Sequence, residues 1–205
     1  FTWGSFQEGP KIKIYVDDTT DAKDDKIVDA NFLNSMGVNN NFYIGSNQAG
    51  KFQARAVIDD IKIWNIEKPA RADIPSTTLP TFSYNCDNSA GSIYATSPAN
   101  TAVGNIPSDN GYCLAGGKSG KGEFTYVEDG SFLNFPATSG TTNLFNKQKG
   151  TISLWFKPNW NFADLASLPV GEQQKVLVNN LIDTNPDPAV FTYEGFKIHV
   201  GPTNG

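Results

Sequence analysis

The chain has 205 residues, of which 39% are hydrophobic and 12% aromatic, and its formal net charge is −5. That balance disfavours a nucleic-acid partner, which needs clustered Lys and Arg against phosphate. No apolar run approaches the ~20 residues of a membrane-spanning helix, so no membrane insertion is expected. With 14 Phe, 19 Gly, 12 Pro and a single Met, the composition suits a turn-dense all-β chain better than a helical one.

From the N-terminal side, Lys11 to Asp17 alternates, with Ile12, Ile14 and Val16 on one face and Lys11, Lys13 and Tyr15 on the other. A period of two marks a strand with one wet face. The acidic stretch Asp17 to Asp25 breaks it and is read as a solvated hairpin tip, since it lacks EF-hand spacing. Asn41 to Gly45 is a short aromatic strand, and Lys51 to Asn65 supplies one or two more. Pro69, Pro75 and Pro80, among small polar residues, then mark a boundary.

Beyond the boundary Thr81 to Cys86 alternates again, and five glycines surround Cys113 between Gly111 and Gly122. Phe124 to Val127 and Ser131 to Phe135 read as a hairpin closed at Asp129-Gly130, a dipeptide suited to positive φ. Thr151 to Lys157 alternates Ile152, Leu154 and Phe156 against Thr151, Ser153 and Trp155. Lys175 to Ile182 and Phe191 to Val200 are two further strands, while Ala163 to Leu168 has room for one helical turn. Many short strands with turn signals between them predict an all-β, two-sheet antiparallel sandwich or jelly roll.

Cys86 and Cys113 lie outside any C-x-x-C motif, and a single His cannot complete a Cys/His zinc set. They are read as a disulfide of an exported protein, worth about 3 kcal/mol, with two buried free thiols as the alternative.

Several of these stretches resemble the laminin G-like branch of the concanavalin A-like lectin/glucanase fold. IKIYVDD (Ile12 to Asp18) is similar to that family's hairpin strand, with Asp18 where Gly is usual. FYIGS (Phe42 to Ser46) and AVIDDIKIWN (Ala56 to Asn65) resemble its late strands, the second being the closing one. FSYNCDNSAG, GGKSGKGEFTYVEDGSFLNF and GTISLWFKPNW resemble its opening and early core strands. The order departs from the family. Residues 1–68 correspond to the C-terminal part of such a sandwich, 69–80 to a linker, and 81–205 to the N-terminal part. Tandem domains, one permuted or gapped domain, or completion by a neighbouring chain each satisfy that order. A sheet cut open leaves unpaired N–H and C=O groups, so self-association or tandem copies of the same domain are expected.

Alternation brings one of Asp59 and Asp60 onto the face of Ile61 and Ile63, where a carboxylate needs a partner. One reading is a carboxylate tying down a loop backbone. The other is calcium, a hard cation wanting six to eight oxygens, with Asp59, Asp60, Asp87 and Asn88 as ligands. The resemblance implies that calcium sites are frequent near these two elements. Trp155, Trp160 and Phe162 are read first as core, with Trp160, beside Asn159 and Asn161, as the residue of a carbohydrate platform. His199 is placed on a strand surface. No G-x-S-x-G, P-loop, dinucleotide fingerprint or close glucanase-type trio of acids is present, and no enzyme activity is expected. The expectation is a non-catalytic structural or adhesion module, extracellular or at the cell surface, one unit of a filament or multidomain adhesin. Its alternative is a glycan-binding module of a secreted glycoside-active protein.

Overall fold

The computed structural model describes residues 1–6, 9–15, 24–27, 41–46, 52–67, 79–84, 95–97, 111–125, 133–139, 142–146, 148–169, 173–180, 182–183, 193–194 and 197–201. The first strands are β1 (Thr2–Phe6), β2 (Gly9–Ile14), β3 (Asp24–Ile27), β4 (Asn41–Ile44) and β5 (Ala56–Trp64). There follow β6 (Phe82–Tyr84), β7 (Ala95–Ser97), β8 (Gly111–Ala115), β9 (Lys121–Thr125), β10 (Leu133–Pro136), β11 (Thr138–Ser139) and β12 (Thr142–Asn143). The last are β13 (Gly150–Pro158), the four-residue helix α1 (Phe162–Leu165), β14 (Lys175–Asn179), β15 (Ile182–Asp183), β16 (Tyr193–Glu194) and β17 (Lys197–Val200).

The chain is all-β, with two main antiparallel sheets. One runs β3-β2-β1-β13-β5-β6-β7, with β9 also paired to β5 and β8 to β9. The other runs β10-β4-β14-β17. Strands from before and after residues 69–80 are interleaved in both. In the first sheet β13 lies between β1 and β5, and in the second β4 lies between β10 and β14. The ladder between β1 and β13 extends to Phe1, whose carbonyl accepts from the Ile152 N–H at 2.8 Å.

Alternation along the strands builds the core between the sheets. Phe42 and Phe135 come from the second sheet, Phe82 and Tyr84 from the first, and all four are buried. The Phe42 ring meets Phe82 edge-on at 5.0 Å, stacks on Phe135 at 5.4 Å and meets Phe145 edge-on at 5.1 Å. Phe82 and Tyr84 also reach Phe135, at 5.0 and 5.4 Å. Edge-to-face and offset rings add about 0.5–1.5 kcal/mol per pair beyond the area they bury. The aromatic content seen in the sequence thus joins the two layers.

Two local expectations are corrected. Among the described residues β9 and β10 do not pair as the expected hairpin: β9 belongs to the first sheet and β10 to the second, where it pairs with β4, and Asp129-Gly130 lies outside the described residues. The hairpin partner of β9 is β8, and the turn between them is Gly116–Gly120, where Gly116 (φ 110°) and Gly120 (φ 95°) adopt a backbone that side chains resist. On β2 the wet and dry sides also differ from the simple alternation. Lys11 is buried and Ile14 is 41% exposed. Lys11 sits opposite Gly4, a residue without a side chain, and Glu67 folds over that position.

Trp3, fully buried, donates its indole N–H to the Asn146 carbonyl at 2.9 Å, and its ring covers Gly150. A methyl group at 150 would overlap the indole carbons. Gly150→Ala is therefore expected to destabilise the fold by about 2 kcal/mol through overpacking, read as a lower urea midpoint. An unchanged midpoint would show that the indole is not seated there.

Candidate functional site

The central strand β5 is where the sequence placed its most informative acids, and the structure explains why they interrupt an apolar run. Asp60 has φ 49°, and the register with β13 shifts between Ser153 and Trp155. The two together make a bulge, which re-aims side chains locally. On one side of it β5 pairs with β9 through Val57 and Ile58, and beyond it with β6 through Ile61 to Ile63. The bulge lies at the junction of those two partners.

Asp59 is 1% exposed. Its Oδ1 accepts the Asp60 backbone N–H at 2.7 Å, and its Oδ2 accepts the Lys118 backbone N–H at 2.8 Å. Lys118 lies on the turn between β8 and β9, so this carboxylate fastens that turn to the central strand. A side chain at Gly117 would run into the Lys121 backbone and come within 2.7 Å of Asp59 Oδ2. The glycine run is needed for this close approach.

Asp60 faces two ammonium groups, Lys62 on one oxygen and Lys118 on the other, the latter at 2.8 Å. Partial burial works to raise its pKa, but the hydrogen bonds and charges of Lys118 and Lys62 outweigh it and hold the carboxyl below its ordinary value. The unfolded chain therefore takes up this proton first as pH falls. The stability Asp60 contributes is complete above the ordinary aspartate value of about 3.9 and is lost as pH drops through the folded one. Wild type and Asp60→Asn are expected to differ in urea midpoint at neutral pH and to converge in acid. A gap that stays constant down to that range would contradict the pairing.

A second constellation lies where β5 begins and β13 ends. Phe52 (φ 58°) and Arg55 (φ 48°) both hold left-handed backbone, which costs a non-glycine residue about 1–2 kcal/mol. Their segment is pinned by three of its carbonyls. Phe52 O accepts from Val176 N at 2.9 Å, Ala54 O from Trp160 Nε1 at 2.8 Å, and Arg55 O from Asn159 N at 3.0 Å. Trp160 is half-buried with its indole N–H turned inward, while Asn159 and Asn161 beside it are exposed.

The other expected residues fall as follows. Asp87, Asn88 and Cys86 lie outside the described residues, and Cys113 stands on β8 opposite Glu123. His199 is exposed on β17 opposite Val176, and desolvation, then the charge of Lys197, holds its imidazole below the ordinary value. Among the described residues no group of three or more His, Cys, Asp or Glu is placed to hold a metal ion. Sequence reasoning missed Lys118 and Arg55. The glycine run around Lys118 was a signal for a tight turn, but nothing in the sequence marked Arg55.

Compared with protein-family models, curated proteins and solved structures, the chain finds no match.

Proposed function

We propose that this chain is a non-catalytic module of the extracellular space or cell surface, a laminin G-like jelly roll that serves structure and adhesion. The observation that carries the reading is the use made of the two central acids. Asp59 holds a turn through two backbone N–H groups, and Asp60 is balanced between two lysines. Carboxylates engaged in this way serve the scaffold rather than a reacting bond. As placed here the pair does not fit calcium, because N–H and ammonium donors already face its oxygens, and calcium carries no step of this reading.

Association with further copies follows from the sheet borders. Among the described residues β3 ends the first sheet and β17 the second, and Ile198 and Val200 on β17 are only half-buried. Border strands with open N–H and C=O groups are templates for another chain. Sedimentation velocity across a concentration series is expected to show reversible self-association, and incubation with β-glucans is expected to release no reducing ends. A monomer at every concentration would overturn the adhesion reading, and glucan cleavage would overturn the non-catalytic one.

The glycan-binding alternative is favoured by one observation, the half-buried Trp160 ring flanked by exposed Asn159 and Asn161. Aromatic faces suit the C–H side of a sugar ring, with amides alongside for its hydroxyls.

A further inference from the structure

We infer that the border strand β17 is the docking edge for a second copy of this chain, and that the copy brings to it the acidic stretch Asp17 to Asp25, which leads into its own border strand β3. The inference rests on the self-association reading and names the two surfaces that meet.

One half of the contact is β17. Its residues alternate: Ile198 and Val200 pack against the core, while Lys197 and His199 lie on the opposite side of the strand. Among the described residues β17 pairs only with β14, so its other margin offers open N–H and C=O groups. Lys197 is half-buried. Its ammonium donates to Gln174 Oε1 at 2.8 Å and lies 5.9 Å from the centre of the Phe52 ring, both neutral groups. His199 is exposed, and the charge acting on it is that of Lys197. No carboxylate is paired with either residue among those described. An ammonium that has given up part of its hydration without meeting an anion gains from one brought by a partner. At neutral pH Lys197 supplies the positive charge, and the imidazole beside it supplies a hydrogen-bond donor.

The other half is the chain's own charge distribution. Asp17 to Asp25 holds five Asp and one Lys, a net −4 of the chain's −5. Asp25 has Lys13 opposite it on β2, which still leaves the stretch strongly acidic. Two of its residues, Asp24 and Asp25, stand on β3, and β3 ends the first sheet as β17 ends the second. The two borders therefore carry opposite charge. Setting one against the other offsets both, whereas like borders in contact would repel. The rest of the chain is close to neutral, so little opposes that approach elsewhere. A second copy is the occupant because the complementary acid is written into the same sequence.

The test is sedimentation velocity of the whole chain at neutral pH, with wild type beside two charge-reversed variants. The first is Lys197→Glu with His199→Glu, and the second is Asp18→Lys with Asp21→Lys. Wild type is expected to self-associate, and about tenfold or more weakly at about 0.5 M than at about 0.05 M salt, because screening shortens the reach of exposed charges. Each variant alone is expected to associate about tenfold or more weakly than wild type. An equimolar mixture of the two is expected to regain association, since the acidic stretch of the first meets the intact β17 of the second. Thermal midpoints check folding, and His199→Glu alone, at an exposed position, is the second variant should the Lys197 change disturb it. Association that ignores salt and both reversals, or a mixture no stronger than its components, would overturn the inference and leave self-association standing. A wild type that stays monomeric at every concentration overturns both. A monomeric wild type that binds hexa-aspartate would make the occupant a foreign acidic segment, and the second copy would be excluded.

Discussion

Phe42→Ala is expected to cost about 3–5 kcal/mol of unfolding free energy. The reason is position as much as size. Phe42 has no exposed surface, and its ring touches Phe82, Phe135 and Phe145 at once. Because Phe82 belongs to one sheet and Phe42 and Phe135 to the other, truncation opens a void between layers that neither sheet can close alone. Cavities in close-packed interiors relax only partly, so the lost contacts add to the lost transfer free energy. Leu79→Ala is the matching control. Leu79 is 78% exposed, and its truncation is expected to stay within about 0.5 kcal/mol. Urea denaturation of the two variants checks both values, and a Phe42→Ala loss no larger than that of Leu79→Ala would contradict the packing described.

Asp59→Ala is expected to cost about 3 kcal/mol. Two backbone N–H groups, those of Asp60 and Lys118, lose a charged acceptor whose own side chain is almost wholly buried. Hydrogen bonds to charged groups contribute about 1.5–3 kcal/mol each, and orphaned buried donors add their own penalty. Removing a buried charge recovers part of this, so the two bonds do not simply sum. Asp59→Asn is expected to fall between wild type and Ala, since an amide accepts with one end and opposes an N–H with the other. The distinguishing readout is amide hydrogen exchange. Lys118 is expected to lose protection in Asp59→Ala while the Ile63 amide, farther along the same strand, keeps it. Unchanged protection at Lys118 would mean that the carboxylate does not hold the turn.

These two variants also show which parts of the molecule were legible in the sequence. Strand faces were legible wherever apolar residues recur every second position, as at Phe82 and Tyr84 or Ile61 and Ile63, because one buried face leaves that pattern. Asp59 stood out as a carboxylate inside an apolar run, and the loop-tying reading anticipated the kind of partner it has. Its partner could not be named. The donor is a backbone N–H 59 residues away, and backbone groups carry no signature of type. The Asp129-Gly130 reading failed for a related reason. Turn chemistry is local, whereas the competition between β8 and β4 for neighbouring strands is settled by which faces the core covers. Lys11 was misassigned because its burial depends on a glycine across the ladder. Arg55 was invisible, since left-handed backbone at a non-glycine residue is imposed by carbonyls pinned from distant elements.

The central claim is that strands on either side of residues 69–80 pair within one chain, and a cross-link between β1 and β13 tests it most directly. Thr2 faces Thr151 across that ladder with hydroxyl oxygens 3.2 Å apart, a spacing that suits a disulfide between cysteines placed there. The Thr2→Cys, Thr151→Cys variant would be made in ordinary and 15N-labelled form, mixed while unfolded, refolded together, oxidised and digested. Linked peptides carrying a single isotope, from a chain that stays monomeric on a denaturing gel, are the predicted result. Linked peptides that combine the two isotopes, or no link between positions 2 and 151, would contradict it.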